Sequence, residues 1–254
     1  MPRLPANERL LSIAVAATGI FGRAGYRGTR TADVAAGAGM SAGLLFTYVE
    51  SKEALLHLVF MHGFGQWPQS LPRLPLATPD PRDTIALVER GLAGIPMPRF
   101  QAAMGVEEPA DAAGELRQIL EERYAVIGRY WPVIRVIARC AAEIPDLEAV
   151  YFGQARPGYY ADLGRYLERR AAAGLLRAMP DSMVAARVVI ESLSWFAWHR
   201  LEGRDAILYD DETVRRTVIE FLCAALLPDS AQVTTTERSR SEVSRLRLLA
   251  VERS

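Results

Sequence analysis

The sequence predicts an all-α fold, and three observations support that prediction. Apolar residues recur at helical spacing in one stretch after another, while no stretch alternates convincingly in the manner of a β-strand. Residues that favour helix starts, such as Ser41, Ser51 and Asp181, stand directly before several of these stretches. Glycine or proline follows many of the same stretches, as expected where helices end.

Three short helices open the chain. The first is expected over residues 7–24, with Gly25 as its C-cap, and Thr31–Gly37 form the second. A tight glycine turn then leads to a third helix that begins at Ser41. Two helices joined so tightly cross steeply, as they do in a helix-turn-helix that presents its second helix to the DNA major groove.

A fourth helix is expected from Ser51 to about Trp67, followed by a proline-rich loop that ends near Pro81. We therefore predict an N-terminal domain over 1–55, a helical domain over 56–228 and a disordered tail over 229–254. Further helices are expected over about 84–92, 113–143, 158–173, 181–201 and 211–227, with a single helical turn near 100–104.

The long helix over 113–143 has two special features. Pro132 lies inside it, and its ring would clash with the carbonyl of Gly128, so we expect a kink. Arg135, Arg139 and Glu143 follow at helical spacing and are expected to form a solvated row of charges.

Composition limits the class of protein. Half of the 254 residues are apolar and the formal net charge is zero, which suits globular domains. Neither an apolar run of membrane-spanning length nor a secretory signal is apparent, and the two isolated cysteines, Cys140 and Cys223, suggest buried reduced thiols. These features indicate a cytoplasmic protein that does not enter the membrane. Residues 1–55 nevertheless carry six basic residues against four acidic ones, a modest excess for nucleic-acid binding.

The order of short motifs near the N-terminus is specific. Gly-Tyr-x-Gly-Thr at 25–29 precedes Ala-Gly-Met-Ser at 38–41 and Phe-Thr-Tyr-Val-x-Ser-Lys-Glu-Ala-Leu at 46–55. With this order the sequence resembles the TetR family of bacterial transcriptional regulators over about a fifth of its length. The resemblance implies a three-helix DNA-binding domain followed by a helical bundle for ligand binding and dimerisation. The implied function is a homodimeric, ligand-responsive regulator, most simply a repressor, of a near-palindromic operator.

Residue roles follow from the resemblance. It implies that Thr29, Arg30 and Thr31 contact DNA phosphates and that Ser41–Thr47 face the major groove. It also implies that Tyr48 and Lys52 bind phosphates of the DNA backbone. Lys52 is also the only lysine in the chain. The implied DNA-binding residues are Thr29, Arg30, Thr31, Ser41, Ala42, Gly43, Leu44, Phe46, Thr47, Tyr48 and Lys52.

The third helix departs from the family pattern at three positions. Leu44 stands where a small hydroxyl residue is common, Phe46 replaces a usual tyrosine, and Val49 replaces a core phenylalanine. Because this helix has few hydrogen-bond donors, we hypothesise that it reads thymine methyl groups and DNA shape more than guanine edges.

The resemblance also places an effector site in the C-terminal bundle. The expected lining of an apolar pocket is Phe64, Trp67, Tyr124, Trp131, Glu191, Trp195 and Trp198. Each aromatic residue could instead be ordinary core, and Glu191 could be paired with an arginine or exposed at an edge. The implied dimer interface uses the helices near 181–201 and 211–227.

Catalysis has little support. His57, His62 and His199 do not share a metal-ligand spacing, and the sequence lacks a nucleophile elbow, a phosphate-binding glycine loop and a Cys-x-x-Cys motif. We therefore expect no enzyme activity, no metal and no cofactor. The alternative is a helical ligand-binding or scaffold protein without sequence-specific DNA binding, which the modest basic excess leaves open.

Overall fold

A computed structural model of the chain describes residues 5–67, 73–202 and 209–228, and those residues are helical without a named strand. The predicted tail over 229–254 lies outside the described residues. The helices are α1 Ala6–Gly28, α2 Thr31–Gly37, α3 Ala42–Leu45, α4 Lys52–Gly63, α5 Pro81–Ala93, α6 Pro98–Gly105, α7 Ala112–Ala141, α8 Pro145–Glu148, α9 Arg156–Ala172, α10 Ser182–Ala197 and α11 Asp211–Leu226. A π-helical segment, Ala149–Ala155, joins α8 to α9, and a 3₁₀ turn, His199–Glu202, follows α10.

The described residues form two compact units. The first lies within Met1–Pro96 and Val126–Tyr159, and the second lies within Met97–Ala125 and Tyr160–Ser254. In the first unit, α4 and the second half of α7 share one core with α1, and the predicted domain boundary at residue 55 stays a prediction. The helix α7 therefore contributes residues to both units.

The core of the first unit contains the inward faces that the sequence predicts. The buried stripe of α1 consists of Leu10, Ala14, Ala17 and Phe21. Val34, Leu45 and Val49 have no exposed surface, so α2 and α3 are fixed to α1 and α4 through apolar contacts. This packing determines which residues of α3 stay at the surface.

Several helix ends are as predicted. The Ser41 hydroxyl oxygen accepts from the Leu44 N–H at 3.2 Å, and the Ser51 hydroxyl oxygen accepts from the Ala54 N–H at 3.1 Å. The Asp181 carboxylate likewise accepts from the N–H groups of Met183 and Val184. These caps were predictable because each bond joins residues two or three positions apart.

Other helix bounds differ from the predictions. The third helix is a single turn, because the backbone of residues 48–50 bonds to the proline-rich loop instead of continuing the helix. The Leu76 N–H donates to the Tyr48 carbonyl at 2.8 Å, and the Glu50 N–H donates to the Leu76 carbonyl at 3.0 Å. The fourth helix ends at Gly63, where the Gln66 N–H turns back to the Met61 carbonyl.

The region near 100–104 is a full helix rather than one turn. Pro98 opens α6, and the Glu122 carboxylate accepts from the N–H groups of Arg99 and Phe100 at 2.8 and 2.9 Å. At its other end, the buried Arg170 guanidinium donates to the Ala103 carbonyl and pairs with Glu115. Remote side chains therefore satisfy both ends of α6.

The expected row of solvated charges on α7 was wrong for Arg135 and Glu143, whereas Arg139 is exposed. The Arg135 Nε donates to the Gly22 carbonyl at 2.9 Å, and the Glu143 carboxylate accepts from the backbone N–H of Arg27. Both side chains thus bind the C-terminal end of α1. Pro132 lies inside α7, and the kink there stays a prediction.

Candidate nucleic-acid interface

The helices α2 and α3 form a compact corner at one side of the first unit. Gly39 adopts a φ of +67° between them, and the Met40 N–H donates to the Ala35 carbonyl at 2.9 Å. Because Leu45 and Val49 are fully buried beneath α3, the helix cannot rotate its outer face without breaking the core. The corner is therefore a rigid support for the side chains above it.

The outer surface of this corner contains most of the predicted DNA-binding residues. The exposed ones are Arg30, Ser41, Ala42, Gly43, Phe46 and Thr47, and the half-buried ones are Thr31, Leu44, Tyr48 and Lys52. The Phe46 ring is 44% exposed although it is apolar. The Thr47 hydroxyl donates to the Leu44 carbonyl at 2.8 Å, so its proton is directed back into the turn. The surface of α3 is consequently poor in outward-facing donors.

The prediction that the Thr29 hydroxyl contacts phosphate was wrong. The Thr29 side chain is only 2% exposed, and its hydroxyl donates to the Gly25 carbonyl at 2.7 Å. The hydroxyl therefore satisfies an acceptor at the end of α1 and does not lie on the surface that could meet a phosphate. Arg30, next to it, is exposed at the start of α2.

Lys52 sits at the junction of α1 and α4. Its Nζ donates to the Arg27 carbonyl at 3.3 Å and lies 4.7 Å from the centroid of the Tyr26 ring. The Tyr26 hydroxyl donates to the Glu53 carboxylate at 2.6 Å. This hydrogen bond lowers the pKa of Glu53, while burial, followed by the contact with Glu53, raises the pKa of Tyr26. The ammonium group is thus held in one place by local contacts.

Sequence reasoning missed the contacts that α7 makes with the end of α1. Gly25 has a φ of +74°, and a Cβ built there would lie 2.5 Å from the Glu143 Oε1. Glu143 and Arg135 therefore pack against a backbone segment that only glycine allows to come so close. The even spacing of these charges on α7 was the only available signal, and it does not identify their distant partners.

The predicted ligand-binding residues are divided between the two units. Phe64, Trp67 and Trp131 belong to the first unit. Phe64 lines a cavity there, Trp67 packs edge-on to His62 at 5.8 Å, and Trp131 lies 5.9 Å from the Arg135 guanidinium. Their assignment to a ligand site stays a prediction.

The other four residues belong to the second unit. Tyr124 is buried, and its hydroxyl bonds to Asp211 at 3.1 Å. Glu191 accepts from the Tyr160 hydroxyl at 2.7 Å and pairs with Arg187 at 3.4 Å. The Trp195 side chain is 53% exposed, and Trp198 stacks on His199 with 3.5 Å between ring centroids. Glu191 is thus paired with an arginine and also 41% exposed, and its role in a ligand site stays a prediction.

The helices α10 and α11 pack against each other and expose apolar side chains. Val184 and Val188 on α10 are 61% and 57% exposed, and Phe221 on α11 is 73% exposed. A soluble monomer rarely exposes several large apolar residues on neighbouring helices. These side chains mark an apolar face of the second unit.

Two findings concern metals and membranes. No group of three or more potential metal-ligating side chains occurs within the described ranges. No helix in the same part of the chain is long and apolar enough to cross a membrane.

The comparisons with known proteins agree on the fold. The sequence profile described as "Bacterial regulatory proteins, tetR family" matches residues 13–59. The solved structure of the ketosteroid transcriptional regulator KstR2 of Mycobacterium tuberculosis is 15% identical, with a TM-score of 0.56 over 88% of this chain and 97% of that one. AibR in complex with isovaleryl coenzyme A and operator DNA is 20% identical, with a TM-score of 0.50 over 84% and 97%. No curated protein matches the chain in sequence.

Proposed function

We propose that the chain, whose residues 13–59 match the sequence profile of the TetR family of bacterial regulatory proteins, is a homodimeric, ligand-responsive transcriptional regulator of that family. In its simplest form it is a cytoplasmic repressor that a small apolar molecule releases from a near-palindromic operator. The observation that carries this proposal is the outer face of α3, which is exposed above the fully buried Leu45 and Val49.

The chemistry of that face suggests how it reads DNA. The Arg30 guanidinium and the Lys52 ammonium stand at the starts of α2 and α4, where backbone N–H groups also favour phosphate. Between them the exposed Phe46 and the partly exposed Leu44 offer apolar surface. Such surface suits thymine methyl groups, so we propose recognition of A·T-rich steps and DNA shape. A site selection that returns a guanine-rich core would contradict this mode of recognition.

Dimerisation is proposed through α10 and α11. The exposed Val184, Val188 and Phe221 supply the apolar surface that a two-fold interface needs. A dimer would place two copies of α3 in successive major grooves roughly 34–36 Å apart, or wider, which requires an operator with two half-sites.

Effector binding is proposed by analogy of fold and from the chemistry of the chain. The AibR structure contains both isovaleryl coenzyme A and operator DNA. An effector of the present chain must favour one arrangement of the two recognition helices over another, because only differential affinity shifts the equilibrium. Glu143 and Arg135 on α7 bind the end of α1, so α7 and α4 are our candidates for transmitting the signal.

A binding assay separates this proposal from its alternative. Gel retardation with DNA from upstream of the chain's own gene should show a discrete complex that survives excess random duplex. A helical ligand-binding or scaffold protein without sequence-specific DNA binding would lose that complex to the competitor. Loss of the complex to random duplex would favour the alternative.

A further inference from the structure

A cavity of about 440 Å³ lies in the first unit, between α1, the C-terminal end of α4 and the middle of α7. Val15 lines it from α1, Phe64 from the end of α4, and Pro132 and Val133 from α7. Its volume falls in the range of small-molecule sites, which is about 300–1,000 Å³. Apart from Phe64, the residues that we predicted for ligand binding do not line it.

The walls of the cavity are fixed by backbone packing. A Cβ built on Gly63 would lie 2.4 Å from the Val133 Cβ, so α4 and α7 approach each other closely only because residue 63 lacks a side chain. The Gln66 N–H bonds to the Met61 carbonyl at 2.8 Å and ends α4 at the same place. The wall that α4 and α7 form is therefore set by close backbone packing.

The charged groups that line the cavity are basic rather than acidic. None of its lining residues is acidic, and the exposed Arg129 guanidinium lies at its edge, 5.6 Å from the centroid of the Tyr130 ring. No ion pair to Arg129 occurs among the described residues. Burial lowers the pKa of His62, so that imidazole is neutral near pH 7. The Thr18 hydroxyl, which also lines the cavity, uses its proton in a hydrogen bond to the Ala14 carbonyl at 2.8 Å.

We propose that this cavity binds an apolar monocarboxylate, whose carboxylate pairs with Arg129 while its apolar body lies among Val15, Phe64 and Val133. This inference rests on the proposed function, since it names the chemical class of an effector and where it binds. A guanidinium offers paired N–H donors that match a carboxylate, and the remaining walls are mainly apolar.

The position of the cavity links it to the DNA-binding corner. Its α1 wall continues along the same helix to Gly25, where the backbone leaves helical geometry shortly before α2 begins at Thr31. Its α7 wall continues to Arg135 and Glu143, which bind that same end of α1. A ligand that contacts α1, α4 and α7 together can therefore favour one arrangement of these helices, as an effector must.

Calorimetric titration of the full chain tests the site without DNA. The probes are octanoate and 1-octanol, which have the same chain length and differ in charge. We expect saturable octanoate binding that Arg129→Gln weakens at least about ten-fold, because a charge-assisted pair is lost. The same variant should not weaken binding of 1-octanol. Arg82→Gln, which removes an exposed arginine of α5, is the matched control and should bind octanoate like the wild type.

A second variant tests the location independently of charge. Val15 is 58% exposed on α1, so Val15→Trp should fold and should fill the cavity from its open side. We expect this variant to lose both probes, with an unchanged circular dichroism spectrum. Absence of saturable octanoate binding to the wild type, or equal binding by Arg129→Gln, would overturn the proposal.

The result is distinguishable from a failure of the proposed function. If octanoate binds through Arg129 while the chain shows no preference among duplexes, the site stands and the regulatory function falls. If the chain binds a specific operator but no octanoate, this inference falls and the regulatory function stands.

Discussion

Lys52 is the residue at which the proposed DNA-binding role is easiest to test. Its ammonium is held between the Arg27 carbonyl and the Tyr26 ring at the start of α4. That anchoring restricts the long side chain before DNA arrives, so less conformational entropy is lost when it meets a phosphate. A phosphate contact is independent of sequence, which gives its removal a recognisable signature.

We predict that Lys52→Ala weakens binding to all duplexes by a similar factor. The slope of log affinity against log salt concentration should fall by about 1, because one phosphate contact is lost. Fluorescence anisotropy on two unrelated duplexes at several salt concentrations measures both effects, and Arg82→Ala is the control for general charge. An unchanged salt slope would remove Lys52 from the interface.

Gly25 is the second residue with a specific requirement. It combines a φ of +74° with the approach of the Glu143 carboxylate, so any side chain is strained and crowded. Gly25→Ala should lower the free energy of unfolding by at least about 2 kcal/mol.

The matched control for this substitution is Gly128→Ala in the middle of α7. Apart from the local backbone of the helix, no heavy atom lies within 4 Å of a Cβ built at that position, so the change should stabilise the chain by about 0.5–1 kcal/mol. Urea unfolding of both variants gives the comparison. Equal effects of the two substitutions would contradict the packing of α7 against α1.

At the scale of whole elements, a contact could be predicted from the sequence only where its two residues are close together along the chain. Helix starts at Ser41 and Ser51 were predictable, because a cap and its N–H partner are three residues apart. The start of α6 was not, since the Glu122 carboxylate that caps it lies 22 residues beyond Phe100. The contact between Glu143 and Arg27 spans 116 residues, and no local pattern marks it.

The candidate site followed the same rule. Motif spacing predicted which face of α3 is exposed, because the buried Leu45 and Val49 follow helical periodicity. The spacing could not show that the Thr29 hydroxyl is used internally, since the Gly25 carbonyl becomes an acceptor only through the conformation of that turn. The place of each predicted aromatic residue in one unit or the other likewise depended on tertiary packing.

The contact between α4 and α5 should make stability depend on pH. His57 Nδ1 lies 2.9 Å from the Thr84 Oγ1, and burial lowers the pKa of this imidazole. Above an unfolded pKa of about 6.5 both states are neutral and the histidine has no effect. As the pH falls through that value, the unfolded state binds the proton first, so the free energy of unfolding declines until the lowered folded pKa is passed.

We therefore predict that the wild type is less stable at pH 5.5 than at pH 8, and that His57→Gln reduces this difference. His62, whose pKa burial also lowers, contributes in the same direction and should preserve part of it. Urea unfolding at the two pH values measures the effect. Equal pH dependence in wild type and variant would show that His57 is not responsible.

At the scale of the whole molecule, the proposed function requires a second copy of the chain. The N-terminal corner alone has only a modest basic excess. Two linked corners bind with a higher effective affinity than either alone, provided that their spacing matches the operator. The exposed apolar face of α10 and α11 is where we expect that link to form.

We predict that Val188→Asp yields a monomer, because a carboxylate cannot be buried unpaired at an apolar interface without a large cost. Sedimentation velocity should show one species of half the wild-type mass. Leu11→Asp, at an apolar position of α1 that is 44% exposed, is the control and should remain dimeric. A Val188→Asp variant that remains dimeric would place the interface elsewhere, and a wild type that sediments as a monomer would exclude it.

The most direct test of the central claim is the ratio of specific to non-specific DNA affinity for the wild-type chain. A near-palindromic duplex from site selection and a scrambled duplex of equal composition are compared by fluorescence anisotropy at physiological salt. We expect the selected duplex to bind at least about 10³-fold more tightly, as specific regulators do. Equal affinity for the two duplexes would contradict the claim that α3 reads DNA sequence.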